Sequence, residues 1–338
     1  MWLAILLMAC APKTPFDTGD VAPVEADQTT LVDTDPPVAE TGNSAGPEDT
    51  GDDVDLTWVS ADIGAQFACG LVSDGTVRCW GVAECAKAEP PPTETFTQIS
   101  VGIFEACGLR SDGTVACWGC DFPDSSGKDI VPETPSETFE SVNVGHAAAC
   151  ARDAAGMLTC WGDDAFATAR APAEPVVDYQ IDSSNACGVL EDGTLHCWGY
   201  GTQWGDDLPP AGVALTQIAV GRRHSCGLDA AGTAYCWGTD TLFDPEPDPF
   251  PDPPPGVWAQ IEAFDGATCV IDAAGVAKCW WGAGLDAGFD LWPDPFPEPM
   301  AMIGLGEYEG CGVTLAGQAD CWGLADYMPS MQVPKLNP

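Results

Sequence analysis

The sequence predicts an all-β fold, a seven-bladed β-propeller of short three- to four-stranded blades, and three observations carry that prediction. One pattern, clearest as ACGLRSDGTVACWG from Ala106 to Gly119, is repeated seven times between Ala68 and Gly323. Every copy holds two cysteines with nine residues between them, a glycine six positions after the first and a tryptophan directly after the second. Successive first cysteines stand 38, 43, 37, 39, 43 and 42 residues apart, which is the repeat length of propellers and solenoids.

The cysteine pairs are Cys69/Cys79, Cys107/Cys117, Cys150/Cys160, Cys187/Cys197, Cys226/Cys236, Cys269/Cys279 and Cys311/Cys321. Cys-Gly-Leu-Val, Ser-Asp-Gly, Thr-Val-Arg-Cys from Cys69 reads as a hairpin whose three-residue loop puts its glycine in the left-handed position. Val72 then closes on Thr76, and counting outward sets Cys69 opposite Cys79 on a non-hydrogen-bonded pair. At such a pair the Cα atoms approach to about 4.5 Å, the short end of disulfide geometry. A two-residue loop would put Cys69 opposite Trp80 instead, so loop and bridge are selected together.

Upstream of each hairpin lies a run with apolar residues at alternate positions, such as Ile99 and Val101 or Ile218 and Val220. That period means a strand. Five runs end in a glycine five residues before the cysteine (Gly64, Gly102, Gly145, Gly221, Gly306), a tight connection into the hairpin. Each repeat is thus a three-stranded meander, with a short fourth strand allowed in the variable linker. A meander cannot bury both faces alone, but seven stacked radially bury them against each other and leave only short edges. The tryptophans that follow the cysteines are expected between blades.

Gly221, His224, Cys226, Gly232, Trp237 and Gly238 together resemble the regulator of chromosome condensation repeat family. The resemblance runs over residues 57–338, and the repeat length is closer to compact secreted bacterial propellers than to the eukaryotic chromatin protein. A WD-type propeller is the alternative, disfavoured because Trp-Gly stands where Trp-Asp is expected. His224 matches the family's repeat histidine, which implies a structural role.

Net charge is −41, with 52 acidic residues against 11 Lys and Arg. A nucleic-acid backbone would be repelled, so the chromatin role of the eukaryotic relatives does not carry over and no nucleic-acid partner is expected. Seventeen cysteines indicate an oxidising compartment. Beyond the hairpin pairs, Cys85 and Cys120 each lie shortly after a Trp-Gly in the exit loops of adjacent blades and are expected to bridge; two surface thiols are the alternative. Zinc is not expected, because the chain has only three histidines.

The remaining cysteine is Cys10. Residues 1–9 are apolar and end Leu-Met-Ala before it, which resembles a bacterial lipoprotein signal box and implies a signal peptide over 1–9, cleavage before Cys10 and its lipidation. The apolar run is too short to span a bilayer. From Ala11 to Leu56 twelve acids and one lysine sit among Thr, Pro and Gly, the composition of a disordered tether, so residues 10–56 are a lipidated, extended linker and 57–338 the propeller. Met331 to Val333 are candidates to pair with the first blade.

Pro-Asp-Pro-Phe-Pro occurs twice, at 247–251 and 293–297, in acidic linkers expected to be extended. Trp204, Phe250, Trp281, Trp292, Phe296 and Tyr308 fall outside the repeat register and form a candidate binding surface, with capping of blade ends as the competing role. Asp244, Glu246, Asp248 and Asp252, with Asp290, Asp294 and Glu298, suit weak calcium binding rather than a dedicated site; no other metal or cofactor is expected. No catalytic constellation stands out.

The function expected from these features is a lipid-anchored, extracytoplasmic, monomeric scaffold of the bacterial cell envelope. It would be an outer-membrane lipoprotein, periplasmic or surface-exposed, binding an envelope or extracellular protein or glycan without catalysis. The alternative is an envelope lyase or hydrolase at the propeller mouth, which requires Glu105, Asp182, His224 and Glu309 to converge in one pocket.

Overall fold

The computed structural model describes residues 55–64, 67–81, 93–103, 105–119, 134–145, 148–162, 171–182, 185–199, 209, 211–239, 249–282, 292–306, 309–323 and 333–336. They form twenty-one strands in seven antiparallel sheets, each a meander of three consecutive strands, and no helix occurs among the described residues.

Blade one shows how the repeat folds. Trp58–Ile63 pairs with Phe67–Val72, which pairs with Val77–Gly81. The hairpin closes through Val72 N donating to Thr76 O and Gly75 N to Val72 O, both at 2.8 Å. Gly75 holds a φ of +83°, the left-handed region a side chain resists. Asp74 fixes the loop by accepting from the Thr76 amide at 2.9 Å and its hydroxyl at 2.6 Å.

This register places Cys69 opposite Cys79, and the same pairing recurs in every blade. Cys69–Cys79, Cys107–Cys117, Cys150–Cys160 and Cys187–Cys197 are disulfides with Cα atoms 4.0 Å apart. Cys226–Cys236, Cys269–Cys279 and Cys311–Cys321 are disulfides at 4.1 Å. The bridge and loop inferred from spacing therefore both form, with the Cα atoms somewhat closer than the 4.5 Å expected of an unbridged pair.

The first strand of each blade lies innermost. These strands are Trp58–Ile63, Gln98–Val101, Ser141–Val144, Val176–Ile181, Leu215–Val220, Gln260–Phe264 and Met300–Leu305. Each touches the next around a complete circle, blade seven meeting blade one. Among the described residues no strand is exchanged at closure. The junction is instead made by packing, by Trp58 N donating to Gly317 O at 3.0 Å, and by the chain end, where Val333 and Leu336 pack on the cluster shared by blades one and seven. Arg78 donates to Lys335 O at 3.1 Å beside them. Met331 lies outside the described residues.

Between adjacent blades sits one hydrophobic cluster, seven in all. Each contains the repeat tryptophan of one blade packed toward the disulfide of the blade before it. Trp118, for example, meets Phe67, Cys69 and Leu71. The cysteines thus serve as core atoms as well as crosslinks. At the inner-strand ends the turn glycines form a collar. A Cβ on Gly64 would meet Gly102 O at 1.8 Å, on Gly102 the Gly145 O at 2.0 Å, and on Gly306 the Gly64 O at 2.6 Å. Glycine at five residues before the cysteine is therefore a requirement of blade-to-blade contact as well as of the turn. The isolated bridge Thr239–Pro249 is the trace of a fourth strand among the described residues.

Candidate binding site at the propeller axis

Inner strands leave one backbone edge facing the axis, where no neighbouring strand can pair with it, and buried amides without acceptors are costly. The sequence supplies acceptors from side chains. Nine or seven positions before each first cysteine stands a residue that reaches across to the next blade. Asp62 accepts from Val101 N at 2.7 Å, Ser100 from Val144 N at 3.0 Å, Asn143 from Ile181 N at 2.9 Å and Gln180 from Val220 N at 2.5 Å. One row outward, Gln98 both accepts from Val142 N at 3.2 Å and donates to Val142 O at 3.1 Å. Asp178 accepts from Ile218 N at 2.8 Å. Gln217 donates to Ala259 O at 2.8 Å, and Gln260 to Ala301 O at 3.0 Å. The Met302 sulfur accepts from Ala61 N at 3.2 Å. All seven junctions carry at least one such bond.

This ladder lines a cavity of about 340 Å³ on the axis, walled by the inner strands of blades two to six: Gln98, Asn143, Asp178, Gln180, Gln217, Gln260 and Glu262, with Ser141, Val142, Tyr179, Ile218 and Ile261. In blade five the ladder position is the small Ala219, so Gln180 of blade four reaches past it and donates to Glu262 of blade six. Burial pushes the Asp62 carboxyl up to about 6 despite the amide bonds from Val101 and Ile63. Burial likewise raises Asp178 to about 6. Glu262 is held well above the usual carboxylate range by burial and then by the nearby charge of Asp62. The axis is therefore an acidic, partly protonated polar chamber, in contrast to the exposed turns, where Thr hydroxyls hold Asp74, Asp112 and Asp192 below their ordinary value.

The residues singled out in the sequence fall elsewhere. The hairpin cysteines stand on the second and third strands of their blades, and none lines the cavity. The first cysteine of every pair is buried. Their partners are less enclosed: Cys79, Cys117, Cys160, Cys236 and Cys279 are half-buried, Cys197 is exposed and Cys321 is buried. The difference follows from position, since the third strand is the outer edge of each sheet. Cys117, Cys160, Cys197, Cys236, Cys279 and Cys321, like Cys79, are thus structural crosslinks at the blade periphery, away from the axial site.

Phe250 and Trp292 are buried, at 5% and 7% exposure, which corrects their placement on a binding surface. Phe250 stacks on the His224 ring at 3.7 Å and joins the cluster between blades five and six. Trp292, Phe296 and Trp281 pack at the junction of blades six and seven, with Phe296 edge-on to Trp322 at 5.0 Å. The proline-rich arms turn their aromatics inward, because each blade end offers an apolar gap beside its tryptophan whose filling is worth about 1.5–3 kcal/mol per side chain. Trp204, Tyr308, Cys10, Cys85 and Cys120 lie outside the described residues, as do Asp244, Glu246, Asp248 and Asp290. Among the described residues no group of three His, Cys, Asp or Glu is arranged to hold a metal ion.

Glu105, Asp182, His224 and Glu309 are buried, belong to blades two, four, five and seven, and none of them lines the axial cavity. His224 is buried, its Nε2 lies 2.7 Å from Thr268 Oγ1, and burial holds its pKa down to about 3. This is a neutral core histidine, as the repeat family implied. The axial ladder was missed in the sequence, although its signal was present as a polar residue nine positions before six of the seven first cysteines, with Met302 in the seventh.

The model of the regulator of chromosome condensation (RCC1) repeat matches residues 58–85 and 215–242, in blades one and five. No curated protein sequence matches the chain. Among solved structures, the ectodomain of the Physcomitrella patens receptor kinase CR4 superposes with a TM-score of 0.63 at 23% identity, over 79% of this chain and 74% of that one. The CRINKLY ectodomain of the Arabidopsis thaliana receptor kinase ACR4 gives 0.62 at 22%, over 82% and 100%. Prp20p from Saccharomyces cerevisiae, described with its binding to Gsp1p and histones, gives 0.58 at 16%, over 82% and 83%. Blade count and ring closure agree with these structures: the chain carries two stretches that match the RCC1 repeat, and its seven repeats close into one β-propeller similar to theirs.

Proposed function

We propose that this chain is a non-catalytic protein-binding scaffold held outside the cytoplasm, anchored by lipid at Cys10 in a bacterial outer membrane and carried on the acidic linker 10–56. The observation that carries the extracytoplasmic reading is the set of seven hairpin disulfides, which persist only where thiols are oxidised. Two of the similar solved structures are receptor-kinase ectodomains. The binding role is supported by the fold shared with Prp20p, which binds proteins, and by the way the repeat is used: its common residues pack blades together, which leaves the differing ones to recognise a partner. A net charge of −41 turns that partner away from nucleic acid and toward proteins with basic surfaces.

The test is capture from a native envelope extract by the purified 57–338 domain, with reduced domain as control. Stable retention of a protein by the oxidised form alone is the expected result, and turnover of envelope material without a retained partner would overturn it. For the anchor, Cys10→Ala should release the protein from membranes into the soluble fraction; unchanged membrane association would remove the lipid from the account.

A further inference from the structure

The two ends of the ring are chemically different. One carries the glycine collar. The other carries the hairpin turns, together with the starts of the inner strands, which hydrogen-bond to the turns of the blade before them: Phe96 N to Gly75 O, Val176 N to Gly156 O, Trp258 N to Gly232 O.

Three observations distinguish the turn end. The exposed large aliphatics among the described residues are Val59, Val177, Val257, Val276 and Leu315, and all five lie there. Val59, Val177 and Val257 adjoin Trp58, Val176 and Trp258, whose amides donate to turn glycines. Val276 follows Gly275, and Leu315 sits in the turn ending at Gly317. Secondly, the cavity wall runs from Gln98 and the exposed Gln260, at the turn-side starts of their inner strands, down to Gln180 and Glu262 further in. Its volume, about 340 Å³, lies at the small end of the roughly 300–1,000 Å³ typical of ligand sites. Thirdly, the wall holds the carboxylates Asp178 and Glu262 and no Lys, Arg or His. Arg152, the cation that acts on Asp178, is an outlying residue occupied with Val176 O and Glu140.

A polar chamber with two carboxylates at its wall, in a ring whose exposed large aliphatics stand at the turn end, fits a donor-only cationic group set among apolar neighbours. We infer that the turn face is the docking surface and that the axial cavity receives a lysine or arginine side chain projecting from the partner protein. The inference rests on the scaffold reading and adds to it the face and the recognised chemistry. An ammonium or guanidinium has donors and no acceptors, which suits Asp178 and Glu262, and its charge replaces the protons that burial forces onto them. The aliphatic rim supplies the apolar contacts around the inserted side chain, the arrangement of a central anchor in a water-excluding surround. Charge complementarity with a basic partner also follows from the −41 of the chain.

Calorimetric titration of the oxidised 57–338 domain with short capped peptides tests this, using Ac-Gly-Val-Arg-Val-Gly-NH2, its Lys and Gln analogues, and agmatine as a free guanidinium. The Arg or Lys peptide is expected to bind at least tenfold more tightly than the Gln analogue and than agmatine. Glu262→Gln keeps an acceptor for Gln180 and should weaken the cationic peptide about tenfold, the worth of one charged hydrogen bond, with a melting temperature at pH 7 no lower than that of wild type. Asp178→Asn is the second variant, since it retains an acceptor for Ile218 N. Equal binding of Arg and Gln peptides, or no effect of either variant, overturns the cavity assignment. Agmatine binding as tightly as the peptide overturns the protein partner in favour of a free amine. In the envelope capture, a partner retained fully by Glu262→Gln and by Val257→Glu/Leu315→Glu leaves the scaffold standing and overturns the turn face. An extract that yields no partner to the wild type, while the peptides discriminate, counts against the scaffold alone.

Discussion

Replacing Gly102 by alanine puts a methyl group where blade two meets blade three. Its Cβ would lie 2.0 Å from Gly145 O and 2.8 Å from Val144 Cγ1, and the carbonyl is backbone, fixed by Gly145 N donating to Ala148 O at 2.9 Å. The junction must open by about 1 Å before the contact becomes tolerable. Two hydrogen bonds span the same gap, Val144 N to Ser100 Oγ at 3.0 Å and Ile103 N to Gly145 O at 3.4 Å. The first is buried, and opening by that amount takes it beyond bonding range. Overpacking costs about 1–3 kcal/mol and an abandoned buried amide about 1–3 kcal/mol, so Gly102→Ala should destabilise by about 2–5 kcal/mol. In urea, with a slope of about 3 kcal/mol per molar for a domain of this size, the midpoint falls by roughly 1 M. Gly212→Ala is the control: nothing lies within 4 Å of its Cβ, and its φ of +88° alone costs about 1–2 kcal/mol. If Gly102→Ala unfolds within 1 kcal/mol of wild type, or no more easily than Gly212→Ala, the collar does not join the blades and the reasoning fails.

Full reduction removes seven short-loop crosslinks, each worth about 2–3 kcal/mol by chain entropy. Dithiothreitol should lower the melting temperature by tens of degrees in a thermal scan, and a shift of only a few degrees would mean the bridges contribute little. Asp62 and Asp178 bind protons more readily folded than unfolded, so their stabilising effect is complete below the ordinary carboxylate pKa and is lost as pH rises through about 6, and Glu262 is raised in the same direction by its burial. His224, held down to about 3, acts in the opposite sense, destabilising as pH falls below its ordinary value. The carboxylate share is therefore read as a difference: Asp62→Asn/Asp178→Asn should gain on wild type between pH 4 and 7, and parallel stability curves would refute it. Removal of residues 333–338 exposes the blade one and seven cluster and deletes the Arg78 to Lys335 bond. Denaturant unfolding should show a loss of about 1–3 kcal/mol, whereas an unchanged midpoint would show that the ring closes without its chain end.

Spacing in the sequence determined what depends on local geometry. A nine-residue gap between cysteines, with glycine six after the first, allows one hairpin register, and that register fixes the bridge, the loop and the side of the sheet on which each tryptophan falls. Seven copies then determine seven blades, because meanders with two apolar faces must stack. What only the tertiary structure decided lies between blades. Phe250 and Trp292 are indistinguishable in sequence from exposed loop aromatics, and whether an extended arm turns in or out depends on a gap beside His224 or Trp322 that exists only after two blades have met. Asp62, Asn143 and Gln180 read as the solvated phase of an alternating strand. They become acceptors for a neighbouring blade, and Asn143 and Gln180 walls of an acidic chamber, only because radial packing leaves each inner edge without a strand to pair with. Periodicity records which residues share a face, but the partner of that face is some forty residues away in sequence and is supplied by closure of the ring.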